Sequence, residues 1–325
     1  MFFTKRCSFT GLLAAAAAAS ATPGYAQDQQ EEEPRVMRAW EAQRSEAQDV
    51  VAQEEEPDED FEYSDQNVIV VQGYRKQQIR SHVYQTLDVD SGQLSRREGK
   101  FCPRIVNFPE EYLTRIENLV RENAAKAGID VEDRPCLADA FAIFAREPSK
   151  FIAGVDKAYP GVFDSLYKPE KNRLMEEERA VYSWSLELTM DKYGQPFLTD
   201  PPQVADIDIG RLTRNVRRDI SGTYLVIDID KTEGMTLRQL ADFITMHMLI
   251  DFTERATRDA ADDSILRLFE FDDPKQAPLA MSPMDAALVE AIYAQPNNNV
   301  SARMMRGRIT DYIAKKLRDD GLEIE

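Results

Sequence analysis

Thr236-Leu-Arg-Gln-Leu-Ala-Asp-Phe-Ile-Thr-Met-His-Met-Leu-Ile-Asp-Phe252 is the stretch on which the fold turns. Thr236 and Gln239 are spaced as a T-x-x-Q capping box, in which each side chain satisfies the other's backbone N–H. Leu237, Leu240, Ala241, Ile244 and Met248 recur every three to four residues and line one face. Arg238, Asp242 and Thr245 mark the opposite face. Phe243, Met246, Leu249 and Ile250 widen the apolar surface beyond a single stripe. The spacing predicts a helix over 236–252, central in a core or covered by its neighbours.

Upstream of it, residues 180–190 alternate as a strand does, with Val181, Ser183, Ser185 and Glu187 opposing Tyr182, Trp184, Leu186 and Leu188. Asp191–Gly194 reads as a turn, and Ile220–Asp230 as the next strand. Downstream, Ser282-Pro-Met-Asp285 starts a helix with an N-cap serine, proline at the first helical position and an acid where the macrodipole favours it. Farther toward the N-terminus, Pro109 opens a helix carrying Leu113, Ile116, Val120 and Ala124, closed by Gly128. Leu137–Ala145 is apolar almost throughout and suits a buried strand. Helical stretches follow around 149–158 and 169–178, and Asn67–Val71 reads as one further short strand. Strands and helices are mixed rather than regularly alternating. The fold class is therefore α+β, a small mixed sheet with packed helices and a helical C-terminal half.

The remaining N-terminal sequence reads as an address and a spacer. Lys5 and Arg6 precede the apolar run Gly11–Ala19, and Gly24-Tyr25-Ala26 supplies small residues for cleavage before Gln27. Residues 1–26 are thus expected to be a signal peptide, placing the mature chain in the periplasm or outside the cell. The run is too short for a ~30 Å hydrocarbon core, and no later stretch is long and apolar enough to span one. Of the formal charge of -18, the stretch 27–66 carries 15 acids against three bases. It holds very little Leu, Ile or Phe, so an acidic disordered tail is expected there. With Lys5 and Arg6 also set aside, about -8 is left on 67–325, an ordinary figure for one folded domain. The acidic balance argues against a nucleic-acid partner, because phosphate needs a basic face.

Export also decides the cysteines. Removing Cys7 with the leader leaves Cys102 and Cys136, an even count in an oxidising compartment, and a structural disulfide is expected. Their spacing is unlike the C-x-x-C of a redox pair.

Candidate chemistry is sparse. The chain has two histidines, His82 and His247, and lacks G-x-S-x-G, G-x-x-x-x-G-K-[ST] and G-x-G-x-x-G. Asp206-Ile-Asp208 and Asp228-Ile-Asp230 hint at calcium loops, but the residues twelve along, Arg217 and Gln239, are not glutamates. The C-terminal helix sets Arg303, Arg306, Arg308, Lys315, Lys316 and Arg318 around Met305, Ile309, Ile313 and Leu317. Such a helix, over 300–318, packs its stripe on the core or rests on an anionic membrane surface; the first reading is preferred.

The helix at 236–252 followed by Met281-Ser-Pro-Met-Asp285 resembles the layout of zinc metallopeptidases of the zincin type, in which a helix bearing H-E-x-x-H precedes a methionine-containing turn. Here the motif positions read His247-Met248-Leu249-Ile250-Asp251. Met248 stands where the resemblance requires a glutamate to take a proton from metal-bound water, and Asp251 where it requires the second histidine. His247 and Asp251 are the only metal-ligand candidates. Their spacing of one helical turn predicts that they face and satisfy each other. No catalytic residue, cofactor or metal is assigned.

As a whole, residues 67–325 resemble an uncharacterised family of proteins secreted by Gram-negative bacteria. The resemblance is carried by Val68-Ile-Val-Val-Gln-Gly-Tyr-Arg75, Cys102-Pro103 with Cys136, Gly234–Phe243, and Ser282-Pro-Met-Asp285 through Tyr293. It implies export and no established activity. Val68–Arg75 is also similar to the I-V-V-T-G-x-R opening of outer-membrane receptor plugs, with Gln72 in place of threonine. A barrel of about 22 strands does not fit this length, and an edge strand is the expected meaning. The function expected from these readings is a non-enzymatic, structural or binding role at the cell envelope. The alternative is a periplasmic hydrolase with an atypical metal site around His247 and Asp251.

Overall fold

The computed structural model describes residues 73–324 except 90–91, 160–161, 164–165, 167, 197–214, 254 and 297–298. The described residues belong to a compact unit spanning Val71–Glu325. The leader 1–26, the acidic stretch 27–66, the strand at 67–71 and Asp206–Asp208 lie outside them.

In chain order the elements are α1 (Lys76–Thr86), β1 (Pro103–Val106), α2 (Glu110–Lys126), β2 (Ala140–Ala145), α3 (Pro148–Ala158) and α4 (Lys168–Glu176). They continue with β3 (Val181–Asp191), β4 (Val216–Asp228), α5 (Leu237–Leu249), α6 (Ala256–Asp259), α7 (Pro283–Tyr293) and α8 (Ala302–Asp319). The strands make one mixed sheet in the order β1-β2-β4-β3. β1 and β2 are parallel, as are β2 and β4, whereas β3 runs antiparallel to β4 at the edge. Parallel neighbours need a long crossover, and α2 supplies the one between β1 and β2.

The two faces of the sheet follow from side-chain alternation. Ala140, Ala142, Phe144, Leu225 and Ile227 point into the main core, which α2, α5, α7 and α8 share. On the other face Phe141, Tyr224 and Trp184 stack in a row, with Phe163 edge-on to Trp184. α3 packs against β2 and β4, and α4 packs on α3. The α+β expectation therefore holds, with the helices layered on a small mixed sheet.

α5 starts where the capping box places it: the Gln239 N–H donates to Thr236 Oγ1 (3.2 Å), and the Thr236 N–H to Gln239 Oε1 (2.9 Å). Residues 239–249 are all buried. On the polar side of this helix Asp242 and Thr245 therefore do not face water, whereas the Arg238 side chain stays partly exposed. Asp242 accepts from Asn123 Nδ2 of α2 (2.7 Å), Arg238 Nε (3.0 Å) and the Met281 N–H (2.8 Å). That acceptor ties α5 to α2 and to the segment entering α7, where Ser282 and Asp285 form the second capping box. Asp285 also accepts from Ser264 Oγ (2.7 Å) and the Ile265 N–H (2.8 Å).

Several boundaries differ from the sequence reading. The strand expected over Leu137–Ala145 starts only at Ala140, and Leu137 is 65% exposed because no neighbouring strand pairs with it. The helix expected to reach 252 stops at Leu249, and Ile250 is already extended (φ -125°, ψ 133°). Pairing with another segment takes over there: Leu87 and Phe252 form an antiparallel bridge, the Asp88 N–H donates to the Asp251 carbonyl (3.1 Å), and the Thr253 N–H to that of Thr86 (2.9 Å). β4 begins four residues earlier than expected, because β3 continues to pair with it from Asp191 to Val216. Its end at Asp228 caps a short 3-10 turn, Ile229–Thr232, by accepting from the Asp230 N–H. Asp228 thus acts as a strand-end acid.

Candidate functional site

The positions that resemble a zincin helix sit at the C-terminal end of α5. His247 is buried, with the Phe243 ring centroid 4.5 Å and the Phe252 centroid 5.3 Å from its own. Its Nε2 has no hydrogen-bond partner. Burial alone pushes the imidazole down to about 4, so it is neutral at neutral pH. The neighbouring Met248 is fully buried and can take no proton.

His247 and Asp251 do not face each other. Because α5 ends at Leu249, the i, i+4 geometry is broken, and Asp251 joins the seam formed by 86–88 and 251–253. Its carboxyl lies instead within hydrogen-bonding reach of Glu187 on β3. Burial first, then the negative charges of Glu187 and Asp88, hold it well above the usual carboxylate range. Glu187 in turn is gripped by Arg218 of β4 through Nε (2.9 Å) and a terminal nitrogen (2.5 Å), both on Oε2. Its Oε1 is buried without a partner.

Sequence reading placed Glu187 only as one member of an alternating strand. Its signal was an acid in an otherwise uncharged run, but the tertiary partner was not legible. A β-bulge between Leu186 and Glu187 shifts the pairing there. After it Leu188, which the alternation groups with the buried Tyr182 and Trp184, is 47% exposed.

Beside Asp251 lies a crevice lined by Leu87, Leu94, Ser95, Arg96, Ile292 and Met305, among others. Its free volume of about 10 Å³ is close to the threshold for a single water. Arg96 does not project into it as a free cation, since Glu98 and the carbonyls of Ile292 and Gln295 hold its guanidinium. Among the described residues, no three His, Cys, Asp or Glu side chains lie close enough to hold a metal ion. The donor set around His247 is aromatic, and that around Asp251 is carboxylate. The two sets do not converge on one ion.

The other sequence candidates have structural places. Cys102 and Cys136 form the expected disulfide, joining the segments that enter β1 and β2. On α8, Met305, Ile309, Ile313 and Leu317 are buried in the core, so the apolar stripe of the C-terminal helix is used within the protein. Among the described residues no helix is long and apolar enough to cross a membrane. His82, on α1, repeats the situation of His247: buried, with Nε2 unpartnered and the imidazole lowered to about 4 by burial.

At its C-terminal end the outer edge of β3 is met by the chain turning back: Met190 bridges Pro196, and the Asp191 N–H donates to the Gln195 carbonyl (2.9 Å). The Asp228 N–H donates to the Ala180 carbonyl, so in the ladder Val181, Ser183 and Ser185 turn their backbone groups away from β4. Among the described residues no hydrogen bond reaches those groups. No protein-family profile, curated protein or solved structure matches the chain.

Proposed function

We propose that this chain is an exported protein with a structural or binding role at the cell envelope, working without catalysis. The observation that carries the reading is the walling of His247 by Phe243 and Phe252, with Met248 in the position where a general base would have to stand. A metal-activated water needs an open coordination position and a nearby base, and this corner supplies neither.

The reading is tested by incubating the purified mature protein, with and without added zinc, with fluorogenic peptides and simple esters. Turnover no faster than buffer is expected. Hydrolysis that disappears in His247→Ala would overturn the reading and restore the hydrolase alternative. Export is tested separately by expressing the full chain in a Gram-negative host. Recovery from the periplasm or medium with Gln27 at the N-terminus is expected; cytosolic retention with the leader intact would refute it.

A further inference from the structure

We propose that Glu187 and Asp251 share a single proton, and that this proton latches β3 to the seam between residues 86–88 and 251–253. The geometry leaves Glu187 with one satisfied and one unsatisfied oxygen. Oε2 is taken twice by Arg218, while Oε1 is buried with no donor in reach. Buried polar atoms are seldom left so, and each exception calls for a physical account. The neighbour is the Asp251 carboxyl. Two carboxylates have lone pairs but no hydrogen to donate, so their contact is favourable only when one oxygen is protonated. With a proton in place, one O–H···O⁻ bond satisfies Glu187 Oε1 and binds the edge strand to the seam.

The surroundings make the latch sensitive to pH. Asp251 faces Glu187 from β3, Asp88 across the seam and Glu170 from α4, all acidic, while Arg306 of α8 donates to the Leu87 carbonyl and stands near Asp88. Arg218 of β4 stands on the far oxygen of Glu187, and Arg96 at the crevice is committed to Glu98 and backbone carbonyls. Loss of the proton therefore sets several like charges against one another. The folded state binds this proton more tightly than the unfolded chain does. The latch's contribution to stability is whole below the ordinary carboxyl value and is lost as pH rises through the raised titration of Asp251. The first groups to loosen are the seam bonds, Asp88 N–H to Asp251 O and Thr253 N–H to Thr86 O.

Amide hydrogen exchange on the full mature protein tests this at pH 5 and pH 8, after correction for intrinsic exchange and with amides of β2 as the reference. In the wild type, protection of the Asp88 and Thr253 amides is expected to fall at least tenfold relative to β2 as pH rises. Asp251→Asn carries a permanent donor for Glu187 Oε1 and should keep that protection at pH 8. Glu187→Gln, which donates in the reverse direction, should do the same and serves if the first variant does not fold. Seam protection independent of pH in the wild type, or an equal loss in a folded amide variant, would overturn the proposal.

Discussion

Acidification should destabilise this protein through His82 and His247, and the size of the effect can be worked out. Both imidazoles are buried and lack a partner for Nε2, so protonation in the folded state strands a charge away from water. Burial lowers each from an ordinary value near 6.5 to about 4. A base whose folded value is depressed contributes stability that is present above the unfolded value and lost as pH falls between the two. One pKa unit corresponds to about 1.4 kcal/mol, so going from pH 7 to pH 5 should remove about 2 kcal/mol per histidine. Asp251 and Asp285 work in the opposite sense, since burial raises both, Asp285 to about 6, and they favour the folded state at low pH. The total slope is therefore not diagnostic, but a difference between variants is. His247→Leu places an apolar group among Phe243 and Phe252. Urea unfolding at pH 7 and pH 5 should show the wild type losing about 2 kcal/mol more than this variant. Equal losses within about 0.5 kcal/mol would mean that His247 is hydrated or paired, and the burial argument would fail.

Reduction of the Cys102–Cys136 bridge should cost about 3–4 kcal/mol, the loop-closure value for a separation of 34 residues, measured by chemical denaturation with and without reductant. Two thiols should become titratable under the same treatment. Asp242→Ala removes an acceptor for Asn123, Arg238 and the Met281 N–H, and should destabilise by about 2–4 kcal/mol in thermal or urea unfolding. A cost below about 1 kcal/mol would show that water replaces the carboxylate. Met248→Glu rebuilds the glutamate of the zincin pattern at a fully buried position, and should lower stability by about 3 kcal/mol or more without producing peptidase activity. Retained stability together with zinc-dependent cleavage would contradict the structural reading of this helix.

Local rules were enough for much of the molecule. The capping boxes at Thr236 and Ser282, the apolar periodicity of α2 and α8, and the alternation of β3 are properties of neighbouring residues, so the sequence by itself determined where those elements form. Export chemistry and cysteine parity likewise predicted the bridge without reference to a fold. What only the tertiary structure decided are the places where distant segments compete with local preference. α5 stops at Leu249 because 251–253 pairs with 86–88, more than 160 positions away in the chain, and that pairing separates His247 from Asp251. The same turn of backbone brings Asp251 to Glu187, a meeting that no helical spacing encodes. Helical spacing puts Asp242 on the face opposite the apolar stripe, but that Asn123 and Met281 bond it there is decided by packing. A side chain's helical position is a local property, but what it touches is set by how the sheet and helices pack, and the proposed site consists entirely of such contacts.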